Sequence, residues 1–287
     1  MCCYIRPVSI ASYKSALTYA IRAQTIYDVH APKAFSFLGE VVEDERHFYW
    51  FDLIERLRQQ YYADKRTLTL TDHGAGSLTS SQAQRKICDI ARTSGTSPRM
   101  GEYLLKVMDW VDAKRVIELG TNLGLGTAYL AAGLQRDASL ISIDADANVQ
   151  EEARRMLARL PIQGDLRLVK GTFINTLQPA LTALGQVDLA FIDGHHEEQA
   201  TQDYFTSIQN YTHSNSVVIL DDIHWSTGME NAWAWVKQQP GVTMTIDLYR
   251  WGVVFFDTSV VEPQHYRIVP WRWKPWHMGF FSSRVNA

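Results

Sequence analysis

The chain has 287 residues, 46% hydrophobic and 21% charged, an ordinary globular balance that excludes disorder, collagen and coiled coil as overall classes. Lys and Arg number 28 against 31 Asp and Glu, and the net charge of −3 gives neither a basic nucleic-acid surface nor an acidic tail. Three scattered cysteines (Cys2, Cys3, Cys88) make no disulfide framework or zinc site and fit a reducing cytoplasm, and no apolar run nears the roughly 20 residues that cross a bilayer.

The N-terminal stretch is broken by Arg6, Pro7, Lys14 and Arg22, lacks a signal-peptide core and reads as mature protein. Residues 1–112 read as a mostly helical cap, with helical spacing over Ala11–Arg22, Phe48–Tyr62, Ser81–Thr93 and Met100–Val111. A short strand and the Gly-containing loop Asp72–Ser77 interrupt it. This loop is a lid contact or a plain turn, since no acidic strand end follows it.

From Arg115 the pattern becomes short β-rich runs alternating with helices. The runs are Val116–Leu119, Leu140–Asp144, Leu166–Lys170, Val187–Asp193 and Val217–Asp221. The helices are Thr127–Leu134, Val149–Leu160, Gln178–Leu184 and Glu198–Gln209, and Met229–Gln238 follows the last run. Such alternation predicts a parallel sheet covered on both faces. Two final runs, Val242–Tyr249 and Gly252–Asp257, are joined too closely for a parallel crossover and must form an antiparallel hairpin. The expected organisation is a cap (1–112), an α/β domain of five parallel strands plus the hairpin (113–261), and a Trp-rich, locally basic arm (262–287). The arm reads as packed on the domain, with a partner- or membrane-surface arm as the alternative.

The first strand runs into Glu118-Leu-Gly120-Thr121-Asn122-Leu-Gly124-Leu-Gly126-Thr127 and then a helix. Gly120 permits a sharp turn, Gly124 and Gly126 remove side chains where a ligand approaches, and the helix N-terminus offers free amides. The second strand ends in Asp144, placed to accept both ribose hydroxyls of an adenosine ligand; Asp146 is its rival. A nicotinamide dinucleotide is disfavoured. The Tyr-x₃-Lys pair of short-chain dehydrogenases occurs only as Tyr61 and Lys65, before the loop, and Glu118 is unwelcome beside a pyrophosphate. An acid there suits a cofactor with a sulfonium and an amino group.

This loop resembles the first motif of class I S-adenosylmethionine-dependent methyltransferases, and the strand pattern over residues 112–258 resembles their Rossmann-like sheet. The closer similarity is to catechol-type small-molecule O-methyltransferases. The whole chain is similar to a group of bacterial methyltransferases sharing His30-Ala-Pro32, Asp72-His-Gly-Ala-Gly-Ser77 and Asp221-Asp-Ile-His-Trp-Ser226. The resemblance implies S-adenosylmethionine as cofactor, with Glu118 and Gly120 at its methionine end, Asp144 at the ribose and Gly171, Thr172 and Phe173 near the adenine. Thr121, Asn122, Gly124 and Asp193 complete the expected cofactor set.

The fourth and fifth strands end in Asp193-Gly-His195-His196 and Asp221-Asp222-Ile-His224, so three carboxylates and three imidazoles meet at one sheet end. Carboxylate oxygens suit Mg²⁺. In catechol-type enzymes an Asp and an Asp-Asn pair at these strand ends hold Mg²⁺; Asp193, Asp221 and Asp222 match them, with Asp222 in place of Asn. A transition-metal site is the lesser alternative. His196 stands where those enzymes carry a lysine near the substrate hydroxyl and is the expected general base, with His195 and His224 as rivals. Trp225 could stack on a planar acceptor, whereas Trp233 and Met229 read as core. The expected reaction is methyl transfer to a small-molecule hydroxyl. A nicotinamide-dependent oxidoreductase and a non-catalytic cofactor-binding module are the alternatives. No nucleic-acid partner is expected, and a homo-oligomer is compatible with the sequence.

Overall fold

A computed structural model describes residues 17–70, 84–260 and 262–274. The Asp72–Ser77 loop, with His73, and residues 275–287 lie outside the described residues, as does most of the expected first helix, of which 17–22 are helical.

The N-terminal stretch contains Pro32–Phe37 (α1), which continues as a π turn through Leu38–Val42, and Tyr49–Ala63 (α2). Thr67–Thr69 (β1) and Gln84–Lys86 (β2) form a small antiparallel ribbon. Ile87–Thr93 (α3) and Pro98–Val111 (α4) follow. Helix α4 opens two residues earlier than periodicity predicts because Pro98 sits at the first helical position, where its missing N–H costs nothing.

The alternating units are Arg115–Leu119 (β3), Leu125–Ala132 (α5), Ser139–Asp144 (β4), Ala147–Leu157 (α6), Asp165–Lys170 (β5), Phe173–Leu184 (α7), Leu189–Ile192 (β6), Glu198–Gln209 (α8), Val217–Leu220 (β7) and Thr227–Val236 (α9). Met244–Asp247 (β8) and Gly252–Phe255 (β9) form the expected hairpin, and Gln264–Arg267 (β10) closes the sheet edge. The sheet order is β10-β8-β9-β7-β6-β3-β4-β5, and β9 alone runs antiparallel to its neighbours. Strand β10, parallel to β8, was not expected. Helix α7 starts five residues before its predicted first residue and carries Pro179 inside it; burial of Leu177 and Leu181 holds the helix through that proline.

Strands β6 and β7 read as unbroken apolar runs because both sheet faces are covered. Successive residues point to opposite faces. Val116, Phe191, Val217 and Phe255 face one core with α2, α4 and α5, while Ile117, Ile192, Val218 and Val254 face another with α7, α8 and α9. The N-terminal helices therefore complete a layer on one sheet face. Tyr61 of α2 reaches the glycine loop, its hydroxyl 3.0 Å from Leu123 O and 3.1 Å from Glu152 O. Past β10, the Lys274 ammonium donates to the carbonyls of Ile21 and Ala23, and Trp271 N donates to Glu43, so the described part of the tail is fastened to the N-terminal stretch.

Candidate active site

Strands β3, β4, β6 and β7 end side by side. The turn after β3 is held there by Gly120 N donating to Ile143 O, while Asp193 N donates to Leu119 O and Asp221 N to Ile192 O. Gly120 has φ +106, and a Cβ there would lie 2.0 Å from the carbonyl oxygen of Asp193, so only glycine fits. Four non-glycine residues with positive φ, Asn122, His195, Asp222 and Tyr249, occupy loops at this sheet end. Such backbone strain collects at functional sites.

Glu118 is fully buried beneath this turn. Its Oε2 accepts hydrogen bonds from Thr127 Oγ1 and Ser142 Oγ, both at 2.6 Å. Because Ser142 spends its proton on Glu118, Thr121 Oγ1 donates to Ser142 at 2.6 Å. The other oxygen, Oε1, has no hydrogen-bond partner among the described residues. Burial raises the carboxyl from 4.5 to about 7 against those hydrogen bonds. A Cβ on Gly126 would come within 2.8 Å of Thr96 Oγ1 and 3.0 Å of Glu118 Oε1, so this glycine keeps the cleft open over the orphan oxygen. Ser94, Gly95, Thr96, Gly120, Thr121, Asn122 and Asp193 line the cleft. Gly124 does not: at φ +80 it begins α5, and a Cβ there would meet Ala153 and Met156 of α6.

Asp144 organises the adjoining edge. Its Oδ2 accepts from Asn122 N at 2.7 Å and its Oδ1 from Asp146 N at 2.8 Å. Burial raises its pKa. Asp146 is spent as the N-cap of α6, accepting from Asn148 N and Val149 N. Gly171 N donates to Asp144 O, which brings the turn Gly171–Thr172–Phe173 beside Asp144, and the Phe173 ring lies edge-on to Tyr204. An orphan carboxylate oxygen, a glycine floor and a second acid at the next strand end fit an adenosine-bearing cation such as S-adenosylmethionine.

The metal expectation fares differently. Burial, followed by the charge of the neighbouring Asp221, raises Asp193 well above the usual carboxylate range. Asp222 is raised by burial and by Asp221. Both oxygens of Asp221, however, are taken by Arg250, with Nε donating to Oδ1 at 2.8 Å and Nη2 to Oδ2 at 2.7 Å. Arg250 Nε also lies 3.3 Å from Asp222 Oδ1. A guanidinium thus stands among the three carboxylates, and the triad does not fit Mg²⁺. Among the described residues no His, Cys, Asp and Glu side chains are grouped to hold a metal ion. The assignment of Asp193, Asp221 and Asp222 as metal ligands is corrected on the position of Arg250.

The three imidazoles separate by their partners. His224 is held between Asp247 (Nε2 to Oδ2, 3.0 Å) and Glu230 (Nδ1 to Oε1, 3.3 Å). Burial lowers its pKa, but the hydrogen bonds and charges of Asp247 and Glu230 outweigh that and raise it. His195 lies 2.9 Å from the Tyr204 hydroxyl through Nδ1, and its Nε2 faces Glu197 at 3.4 Å. His196 has its Nε2 3.7 Å from Asp193 Oδ1, so it faces the carboxylate group. Trp225 is 61% exposed beside this group, while Trp233 and Met229 are buried as core.

Residues 117–223 match the family model described as a methyltransferase domain. Catechol O-methyltransferase of Mycobacterium tuberculosis is 28% identical over 127 residues, covering 44% of this chain and 56% of that protein. Catechol O-methyltransferase of Niastella koreensis is 24% identical over 128 residues, covering 44% and 57%. The chain thus spans little more than half the length of these relatives. Among solved structures, a methyltransferase of Podospora anserina with S-adenosylhomocysteine bound superposes with a TM-score of 0.55 at 13% identity, covering 80% of this chain and 97% of the other. An O-methyltransferase of Bacillus cereus superposes at 0.51 and 16% identity, covering 77% and 96%. The chain shares its fold with these methyltransferases.

The cleft also uses residues that sequence reading did not single out. Ser94–Thr96 come from the α3–α4 link. Asn122 Nδ2 donates to Ser94 O at 2.7 Å and the buried Arg58 donates to Thr96 O at 2.5 Å, fixing that link on the glycine turn. The Gly95 between Ser94 and Thr96 was the available signal. Arg250 gave none, since it sits in what reads as a bare hairpin link.

Proposed function

We propose that the domain transfers the methyl group of S-adenosylmethionine to a hydroxyl of a small-molecule acceptor. The observation that carries this reading is the orphan Oε1 of buried Glu118 under a glycine floor, with Asp144 at the neighbouring strand end. A buried acid would repel a pyrophosphate but attracts a cationic cofactor, which disfavours a dinucleotide. Glu118 would face the methionine end, Asp144 the ribose, and Gly171–Phe173 the base. When bound, the cofactor supplies an electrophilic methyl group on a positive sulfur. With it bound, the acceptor oxygen would bond to that methyl carbon as the C–S bond breaks, the electron pair staying on what becomes S-adenosylhomocysteine. His196 takes the hydroxyl proton, and the neighbouring Asp193 and Asp222 stabilise the resulting imidazolium. Most of the acceleration comes from holding acceptor and methyl in line. The similarity to catechol O-methyltransferases and the exposed Trp225 support a planar hydroxylated acceptor. The test is an acceptor screen with methyl-tritiated cofactor over catechols, phenols and sugars, scored by label transfer and S-adenosylhomocysteine release. Label on a hydroxyl oxygen supports the reading; label only on nitrogen or carbon acceptors contradicts it.

A further inference from the structure

A cation built into the chain occupies the place where the sequence pattern suggests an added one. Arg250 lies in the β8–β9 link, directly before the buried Trp251, and its guanidinium plane meets Asp221 edge-on through two parallel hydrogen bonds of 2.8 and 2.7 Å. That two-point fit is the strong form of a carboxylate contact and is open to arginine alone. The Asp221 side chain is 1% exposed, so its charge requires a close partner. Asp222 sits at 3.3 Å from the same Nε. One guanidinium therefore contacts both Asp221 and Asp222. The Arg250 side chain is still 40% exposed.

We propose that Arg250 replaces a divalent cation at this site, making the chain indifferent to Mg²⁺. A metal ion would have to break both Asp221 hydrogen bonds and then sit beside a fixed positive charge. This holds independently of the methyltransferase reading.

The experiment is titration of the full chain with Mn²⁺, a paramagnetic stand-in for Mg²⁺, with and without S-adenosylhomocysteine, following the free-ion electron paramagnetic resonance signal. Wild type should leave the signal unreduced at about 1 mM metal. Arg250→Met, which keeps the bulk and drops the charge, should bind Mn²⁺ at least about tenfold more tightly, and adding Asp221→Asn should abolish that gain. Arg250→Lys should fall between them, since an ammonium cannot hold both Asp221 oxygens. Stoichiometric Mn²⁺ binding by wild type that Asp221→Asn removes would overturn the proposal even if the Arg250 variants fail to fold. So would a folded Arg250→Met that gains no affinity. If wild type ignores Mn²⁺ but also fails to bind S-adenosylhomocysteine, the methyltransferase reading falls and the metal result stands.

Discussion

Replacing Glu118 by Gln tests the floor of the cleft with a near-isosteric change. Glu118 Oε2 accepts from Thr127 and Ser142, while Oε1 stands unpartnered and fully buried. A Gln carbonyl can take the place of Oε2 and keep both hydrogen bonds, leaving its amide toward Thr96 Oγ1. The raised carboxyl, from 4.5 to about 7, means that the ionised form costs the folded state about 3 kcal/mol. The sign follows from proton uptake. Below 4.5 both folded and unfolded chains hold the proton and there is no cost; between 4.5 and about 7 stability falls as pH rises; above 7 the cost is complete. Glu118→Gln should therefore match wild type in urea unfolding near pH 5, within about 1 kcal/mol, and exceed it by about 2–4 kcal/mol near pH 8. Tryptophan fluorescence reports the transition. The same variant should bind S-adenosylhomocysteine at least about tenfold more weakly, since a hydrogen bond to a charged partner is worth about 1.5–3 kcal/mol. An equal stability difference at both pH values, or a variant less stable near pH 8, would refute the buried-charge cost.

Gly120→Ala should lower stability by at least about 2 kcal/mol and remove cofactor binding, because the Cβ would meet Asp193 O at 2.0 Å with φ at +106; thermal unfolding and calorimetry read both effects. His196→Ala should bind S-adenosylhomocysteine within about twofold of wild type but lose about 10²–10⁴ in turnover on any acceptor the screen finds, and unchanged turnover would remove His196 as the base.

The parts of the fold set by local pattern were readable: strand–helix alternation gave the parallel sheet, and the short Arg250-Trp251 link gave the β8–β9 hairpin. Glu118, Gly120 and Asp144 were readable for the same reason, because each sits at a fixed step from a strand end. What depended on long-range pairing was not. Arg250 reaches Asp221, 29 residues away, because β9 pairs antiparallel with β7 and turns the hairpin link toward the carboxylates. His224 is engaged by Asp247, at the end of β8, and periodicity cannot show that contact. Gly124 matched the motif, yet its lost side chain makes room for α6. Strand β10 escaped notice because Gln264–Arg267 is a polar edge segment without the apolar run that marks the inner strands.

Calorimetric titration of the full chain with S-adenosylhomocysteine, with NAD(H) and NADP(H) in parallel cells, addresses the central claim most directly. One-to-one binding of S-adenosylhomocysteine with no heat from either dinucleotide is the predicted result; binding of a dinucleotide in its place would contradict it.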